Sequence, residues 1–271
     1  HKAFGDPNAL IIAQNTRDFI TRHFRAPQPF SGFVEALDQD LTPLPRSTRR
    51  QNPHMHLMEA CLVMYETSED MAYLDLADEL FGLLTSYFLV DGTLREFFAD
   101  DLTPHPDTGH TVEAGHHAEW VWLLDRYHSL KGHKDSAFNT AITTLKDTLF
   151  TWVAAHGFDP VNGGIWNSQT PSGTPIDTNK RIWPVFETLR AAAVMLAQDP
   201  ENRTAKSVFT HAQHLVSVYV AADGTWTEMR DIALDIAPNV TLAPTSRDRP
   251  GTTPYHIYLP LLESVERYGA Y

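Results

Sequence analysis

The sequence predicts an all-α chain organised as an array of helical hairpins. Two observations predict it: apolar residues recur at spacings of three and four through long segments, and glycine turns repeat between those segments. The helical segments are Asn8–Phe24, Pro53–Glu66, Met71–Phe88, Val112–Tyr127, Ser136–Ala155, Asn179–Ala197, Ala205–Val220 and Pro254–Tyr268. None is strongly β-like, and Gly, Pro, Asp and Thr clusters separate them as turn material. The repeated turns read Gly32-Phe33-Val34-Glu35, Gly92-Thr93-Leu94-Arg95-Glu96, Gly163-Gly164-Ile165-Trp166-Asn167 and Gly224-Thr225-Trp226-Thr227-Glu228. Gly32, Gly92, Gly164 and Gly224 lie 60, 72 and 60 residues apart. Each follows one helix and precedes a loop and a second helix. Such hairpins bury their apolar faces by stacking on neighbours, in an open solenoid or a closed toroid. Closed toroids of paired helices commonly have six pairs, and four are visible here. The expectation is one domain over residues 1–271 that lacks part of the N-terminal hairpins.

Composition narrows the function classes. The chain has 271 residues, 42% of them apolar and 20% charged, as in an ordinary globular protein with a sizeable core. No apolar run of about 18 residues is present, so no membrane-spanning helix is expected. Net charge is −13, with 34 acids against 21 scattered Lys and Arg. A phosphate backbone needs a basic face, so nucleic acid is a poor partner, and so is an anionic membrane. A neutral small molecule is compatible. Cys61 is the single cysteine, in an apolar helical pattern. It reads as a small buried hydrophobe in a reducing, cytoplasmic compartment.

The unusual residues gather at the start of the second helix of each pair. One such helix begins Asn52-Pro53-His54-Met55-His56-Leu57-Met58-Glu59, and the next Glu113-Ala114-Gly115-His116-His117-Ala118-Glu119-Trp120. His56 lies 24 residues after Gly32, and His116 lies 24 after Gly92. Glu59 and Glu119 each follow their histidine by three, on the same helical face. A third helix opens Lys180-Arg181-Ile182-Trp183-Pro184-Val185-Phe186-Glu187, and a fourth Thr253-Pro254-Tyr255-His256. Proline suits the first helical turn, where its missing N–H has no partner to lose. If these helices line the inside, His56, His116, His256, Glu119, Glu187 and Trp183 surround one pocket.

Several chemistries fit parts of this set. A single helical histidine is more often structural than catalytic, but equivalent placement in successive repeats favours a functional pocket. Trp183 serves equally as core or as an aromatic floor under a sugar ring. His54 and His117 point elsewhere on their helices and read as supporting residues. His211 and His214 read as exposed on an outer helix. His56, His116 and His256 with a Glu form a possible metal triad, yet no HExxH or cysteine cluster accompanies them. No G-x-S-x-G elbow, G-x-G-x-x-G or Walker loop occurs, so neither a serine hydrolase nor a nucleotide cofactor is indicated. Glu119 and Glu187 are a candidate acid–base pair for glycoside hydrolysis. Imidazoles suit proton shuttling near neutral pH better than acetal cleavage.

At Asn52-Pro53-His54-Met55-His56-Leu57-Met58-Glu59-Ala60, Glu113–Trp120, Arg181-Ile182-Trp183-Pro184 with Glu187, and Pro254-Tyr255-His256, the chain resembles the N-acylglucosamine 2-epimerase superfamily, and within it the mannose isomerase branch. The motifs fall in the expected order and spread over most of the chain. The resemblance implies an (α/α)6 barrel and sugar chemistry with no cofactor and no metal. It implies His116 and His256 as the catalytic acid/base pair, and Asn52, His56, Glu119, Trp183 and Glu187 as substrate-binding residues. The expected substrate is a free monosaccharide. The expected reaction is aldose–ketose isomerisation, with C2 epimerisation and non-catalytic sugar binding as alternatives. The chain departs from the family where Glu113-Ala114-Gly115-His116 replaces a frequent Glu-Pro-Gly-His, and where an early pocket arginine has no counterpart. No oligomeric state is legible.

Overall fold

The computed structural model describes residues 1–44, 48–132, 135–236 and 251–268. Its helices are α1 (Pro7–His23), α2 (Gln51–Ser68), α3 (Met71–Leu83), α4 (Ala114–Lys131), α5 (Ser136–Trp152), α6 (Trp183–Gln198), α7 (Arg203–Tyr219) and α8 (Thr253–Tyr268). Short strands lie between them: β1 (Arg49–Arg50), β2 (Leu89–Val90), β3 (Thr93–Leu94), β4 (Phe97–Phe98), β5 (Ser168–Gln169), β6 (Pro175–Asp177), β7 (Lys180–Arg181) and β8 (Met229–Arg230). All eight periodic segments of the sequence are helical. The strands escape periodicity because two or three residues carry no readable alternation. For that reason Lys180 and Arg181, expected in a helix, are extended and pair with Arg230 and Met229. Among the described residues no helix is long and apolar enough to cross a membrane.

The chain divides into two compact units, His1–Thr111 with Ser129–Gly132, and Val112–His128 with His133–Tyr271. In the first unit α2 packs on α3. In the second, α6 packs on both α7 and α8. The helices are of two kinds. In α6 every residue from Trp183 to Leu196 is buried, and in α4 every residue from Ala114 to Leu124. A helix buried on every side lies in a core, and the polar residues it carries there need partners. The triplet Ala191-Ala192-Ala193 keeps α6 thin enough for close neighbours. By contrast α7 buries a single stripe, Ala205, Val208, Ala212, Leu215 and Tyr219.

Capping also differs among the helices. α1, α3, α5 and α7 start on Asp6, Asp70, Asp135 and Asn202, whose side chains accept backbone N–H bonds of the first turn. No side chain caps α2 or α6. α2 starts directly from the extended, paired Arg50, and α6 starts from Ile182, in the helical region, just after the paired β7. Arg49 and Arg50 pair with Phe98 and Phe97 in the first unit. In the second, β7 pairs with β8, and Val112, just before α4, exchanges 2.9 Å hydrogen bonds with Gln169.

The glycine turns close small hairpins after α1, α3, α5 and α7. Arg25 bridges Phe33, β2 pairs β3, Phe158 bridges Ile165 and Val220 bridges Trp226. At the β2–β3 turn Asp91 and Gly92 both have positive φ, +50° and +76°. That is the two-residue turn whose twist matches a β-hairpin, and glycine adopts it without strain. α3 and α5 both end in a π-helical turn, Leu84–Phe88 and Val153–Gly157. The repeat therefore extends to the way these helices unwind.

Candidate active site

Five of the seven sequence-predicted site residues lie together in the second unit. His116 and Glu119 come from the first two turns of α4. Trp183 and Glu187 come from the first turns of α6, and His256 from the first turn of α8. All five are buried. Trp183 is the hub. Its ring centroid lies 4.9 Å from that of His116 and 5.3 Å from that of His256. The Arg181 guanidinium sits 5.7 Å from the same indole centroid. The indole thus holds two imidazoles from two other helices.

Each imidazole has a carboxylate at Nδ1. His256 Nδ1 donates to Glu187 Oε1 at 2.8 Å, and Glu187 is fully buried. An ionised carboxylate only accepts, so with Glu187 ionised this bond is made by the Nδ1–H of the ring. His116 Nδ1 lies 3.6 Å from Glu113 Oε2, a looser contact with a partly exposed acid. One oxygen each of Glu119 and Glu187 and a ring nitrogen of His256 fall within 4.8 Å of one another.

Close packing fixes the hub. Gly115 has no side chain because Trp183 occupies the space: a Cβ there would meet the indole Cζ3 at 2.3 Å and Cη2 at 2.4 Å. Glu228, from the fourth glycine turn, ties the helix starts together. Its carbonyl accepts from Ile182 N–H at 3.1 Å, just before α6. Its carboxylate accepts from the Thr253 hydroxyl at 2.7 Å, at the start of α8. His117 stacks on Trp152, with centroids 4.4 Å apart, and its Nδ1 donates to the Glu113 carbonyl, as suits a supporting residue.

Asn52 and His56 belong to the first unit, in the first turns of α2. His56 Nδ1 faces Glu59 Oε2 at 3.4 Å, so the three-residue spacing does bring that pair together. His54 is structural. It donates from Nδ1 to the Arg50 carbonyl and accepts the Phe33 N–H at Nε2, at 3.0 Å. Burial, with Arg49 nearby, holds its imidazole down to about 4. Cys61 is buried, and burial pushes its thiol up to about 12, which leaves it inert at neutral pH. His214 is exposed, but His211 is half-buried and stacks on Phe158.

Sequence reading missed the buried cations. The Arg49 guanidinium, just before α2, donates to the carbonyls of Ser31, Phe33 and Asp100. Lys180, just before α6, is fully buried, and its ammonium donates to Asp159 Oδ2, Gly163 O and Ile232 O. Both staple glycine loops beneath the start of a buried helix. Burial alone would raise the Asp159 carboxyl, but the Lys180 ammonium and the N–H groups of Val161 and Asn162 hold it at about 2. Glu113 and Arg190 were also passed over. Their signal was present, since each lies three residues from a chosen residue, His116 or Glu187.

Comparison with known proteins places this arrangement. The chain is 35% identical over 173 residues to a mannose-6-phosphate isomerase of Rhizobium meliloti (strain 1021), which covers 62% of this chain and 42% of that protein. It superposes on the crystal structure of a D-mannose isomerase with a TM-score of 0.81 at 20% identity, covering 97% of this chain and 66% of the other. It superposes on a cellobiose 2-epimerase from Spirochaeta thermophila DSM 6192 with a TM-score of 0.80 at 20% identity, covering 98% and 66%. At such identities the structural likeness carries the fold alone: all-α, of the (α/α)6-barrel type that the sequence predicted. The chain spans about half the length of the curated relatives it matches, 42% and 54%. The family profile of N-acylglucosamine 2-epimerase (GlcNAc 2-epimerase) matches residues 1–257. With nearly its whole length accounted for by that profile, the chain belongs to the N-acylglucosamine 2-epimerase family.

Proposed function

We propose that this protein is an aldose–ketose isomerase acting on mannose-like free sugars, with D-mannose and D-fructose as the pair to test first. The observation that carries the reading is the pair of buried imidazoles on one indole, His116 and His256, each with a carboxylate at Nδ1. In this reading the two rings exchange the substrate proton through Nε2, with Nδ1 turned to the carboxylate. In the open-chain sugar the C2–H beside the C1 carbonyl is weakly acidic. One imidazole removes it, the C–H electron pair forms the C1–C2 double bond, and the carbonyl oxygen takes up a proton to give a cis-enediol. Returning the proton to C1 while the C2 hydroxyl loses its own yields the ketose. No electrons leave the substrate, so the step needs no redox cofactor. The chemistry as drawn needs no metal, and turnover should persist in EDTA.

In this reading His116 and His256 are the acid/base pair, Glu119, Trp183 and Glu187 bind and orient the sugar beside them, and Asn52 and His56 are sugar-binding residues of the first unit. The α6 N-terminus beside them has no side-chain cap, and its partial positive charge favours negative charge developing on the enediol oxygens. Net charge of −13 and the buried acids Glu119 and Glu187 favour a neutral sugar over a phosphorylated one. The single cysteine, reduced and buried, fits a cytoplasmic enzyme. The relatives named as isomerases of mannose or its phosphate support the substrate class.

A second reading is C2 epimerisation, in which the same enediol is reprotonated at C2 on the opposite face. The family description and the equal likeness to a cellobiose 2-epimerase favour it. Chromatography after incubation with D-mannose separates the two: fructose supports isomerisation, and glucose supports epimerisation. Conversion of mannose 6-phosphate but not of mannose would overturn the neutral-sugar assignment.

A further inference from the structure

Glu187 does more than accept from His256. Its second oxygen, Oε2, lies 3.5 Å from Arg190 Nη1, one helical turn along α6. Arg190 is itself buried and braced on two sides. Its Nε donates to Glu263 Oε2 of α8 at 2.6 Å. Its guanidinium carbon lies 3.3 Å from the centroid of the Trp122 ring of α4. A planar cation stacked on indole and forked between two carboxylates has little freedom to leave. Two buried acids, Glu119 and Glu187, crowd the His256 ring. Without a compensating cation, such a cluster binds an extra proton.

We propose that Arg190 is a positioning residue: it holds the Glu187 carboxylate aimed at His256 Nδ1 and offsets the negative charge that would otherwise raise the proton affinity of the Glu187–His256 pair. The proposal rests on the reading of His256 as a proton-transfer residue. Among the described residues of this unit, the charged and titratable groups around this cluster include Glu119, His116 and Glu113 beside α4, Arg190 from α6, Tyr255 and Glu263 from α8, Glu228 from the loop beneath α8, and Arg181 at the edge of Trp183. α7 covers the other side of α6 with apolar residues and with Tyr219, whose hydroxyl is engaged by the Lys180 carbonyl. Among the described residues Arg190 is the cation paired with Glu187. Removing it gives the coupled Glu187–His256 site a higher proton affinity. Whether the proton settles on the ring or on the carboxyl, the site holds it more tightly than in the wild type.

The test is an NMR titration of the His256 ring, assigned by the signal missing in His256→Gln, in wild type, Arg190→Met, Arg190→Lys and Glu263→Gln. Arg190→Met should move the midpoint up by about one unit or more. Arg190→Lys keeps the charge and should stay near wild type even where thermal stability falls. Glu263→Gln removes a competing acid and should move the midpoint down. The acid limb of the kcat/KM profile on mannose should move with the ring in each case. A folded Arg190→Met with an unmoved midpoint overturns the proposal. If that variant does not fold, an unmoved midpoint in Glu263→Gln does so. Shifted titrations in a protein that turns over no sugar would overturn the isomerase reading and leave the role of Arg190 standing.

Discussion

Replacing Gly115 with Ala probes the hub of the site with one methyl group. Gly115 lies in the first turn of α4 and its φ is not positive, so the backbone tolerates alanine there. The obstacle is the 2.3 Å approach of the new Cβ to Trp183 Cζ3, with Pro184 Cβ 3.1 Å away on the same side. Ordinary carbon contacts lie at about 3.5–4.0 Å, so the indole must retreat by roughly 1 Å. It cannot retreat alone, because both imidazoles rest on it. Overpacking a close-packed core costs about 1–3 kcal/mol. Alanine regains about 1 kcal/mol of helix propensity over glycine. The net expectation is a loss of about 0–2 kcal/mol, read by urea unfolding. The effect on turnover should be larger than stability suggests, because a displacement of about 1 Å at reacting groups costs on the order of a hundredfold. The assay is kcat for mannose conversion beside an unfolding curve on the same sample. Wild-type stability with wild-type kcat would refute the argument that Trp183 sets the positions of both rings.

Other consequences follow from the same geometry. His256→Gln should reduce kcat by about a hundredfold or more, and Glu187→Gln should also reduce it by freeing the tautomer at His256; circular dichroism should stay unchanged in both. The His54 imidazole titrates at about 4 in the fold against 6.5 for an ordinary histidine, so between those values the unfolded chain binds a proton that the folded chain refuses. That contribution to stability is complete above pH 6.5 and falls by about 1.4 kcal/mol per pH unit toward pH 4. Urea unfolding at pH 7 and pH 5 should show this slope, and His54→Gln should remove it. Lys180→Met strands the buried Asp159 carboxylate and should cost about 3–5 kcal/mol, measured by thermal or urea unfolding. Loss of only a few tenths would mean that the loops are held by other bonds.

How much of this was legible in the sequence depends on the range of the interaction. The helices were legible because burial on a helix leaves a period, as in the stripe Ala205, Val208, Ala212, Leu215 and Tyr219 of α7. The site was legible where one helix repeats a motif: His56 with Glu59, and His116 with Glu119. Contacts between helices left no such trace. Nothing local says that Trp183 bears on two histidines, or that the space beside Gly115 is filled by an indole. Lys180 looked like the start of a helix because its role is set by strand pairing with Arg230 and by three acceptors distant in sequence. Buried cations such as Arg49 are silent in composition, since a charge reads as surface until its acceptors are known.

The central claim is that His116 and His256 carry the substrate proton. Its most direct test is incubation of D-mannose in D2O with wild type, His116→Gln and His256→Gln, following deuterium by NMR. The account predicts fructose labelled at C1 with wild type, and no label above the uncatalysed rate with either variant. Wild-type label incorporation by the two variants would contradict it.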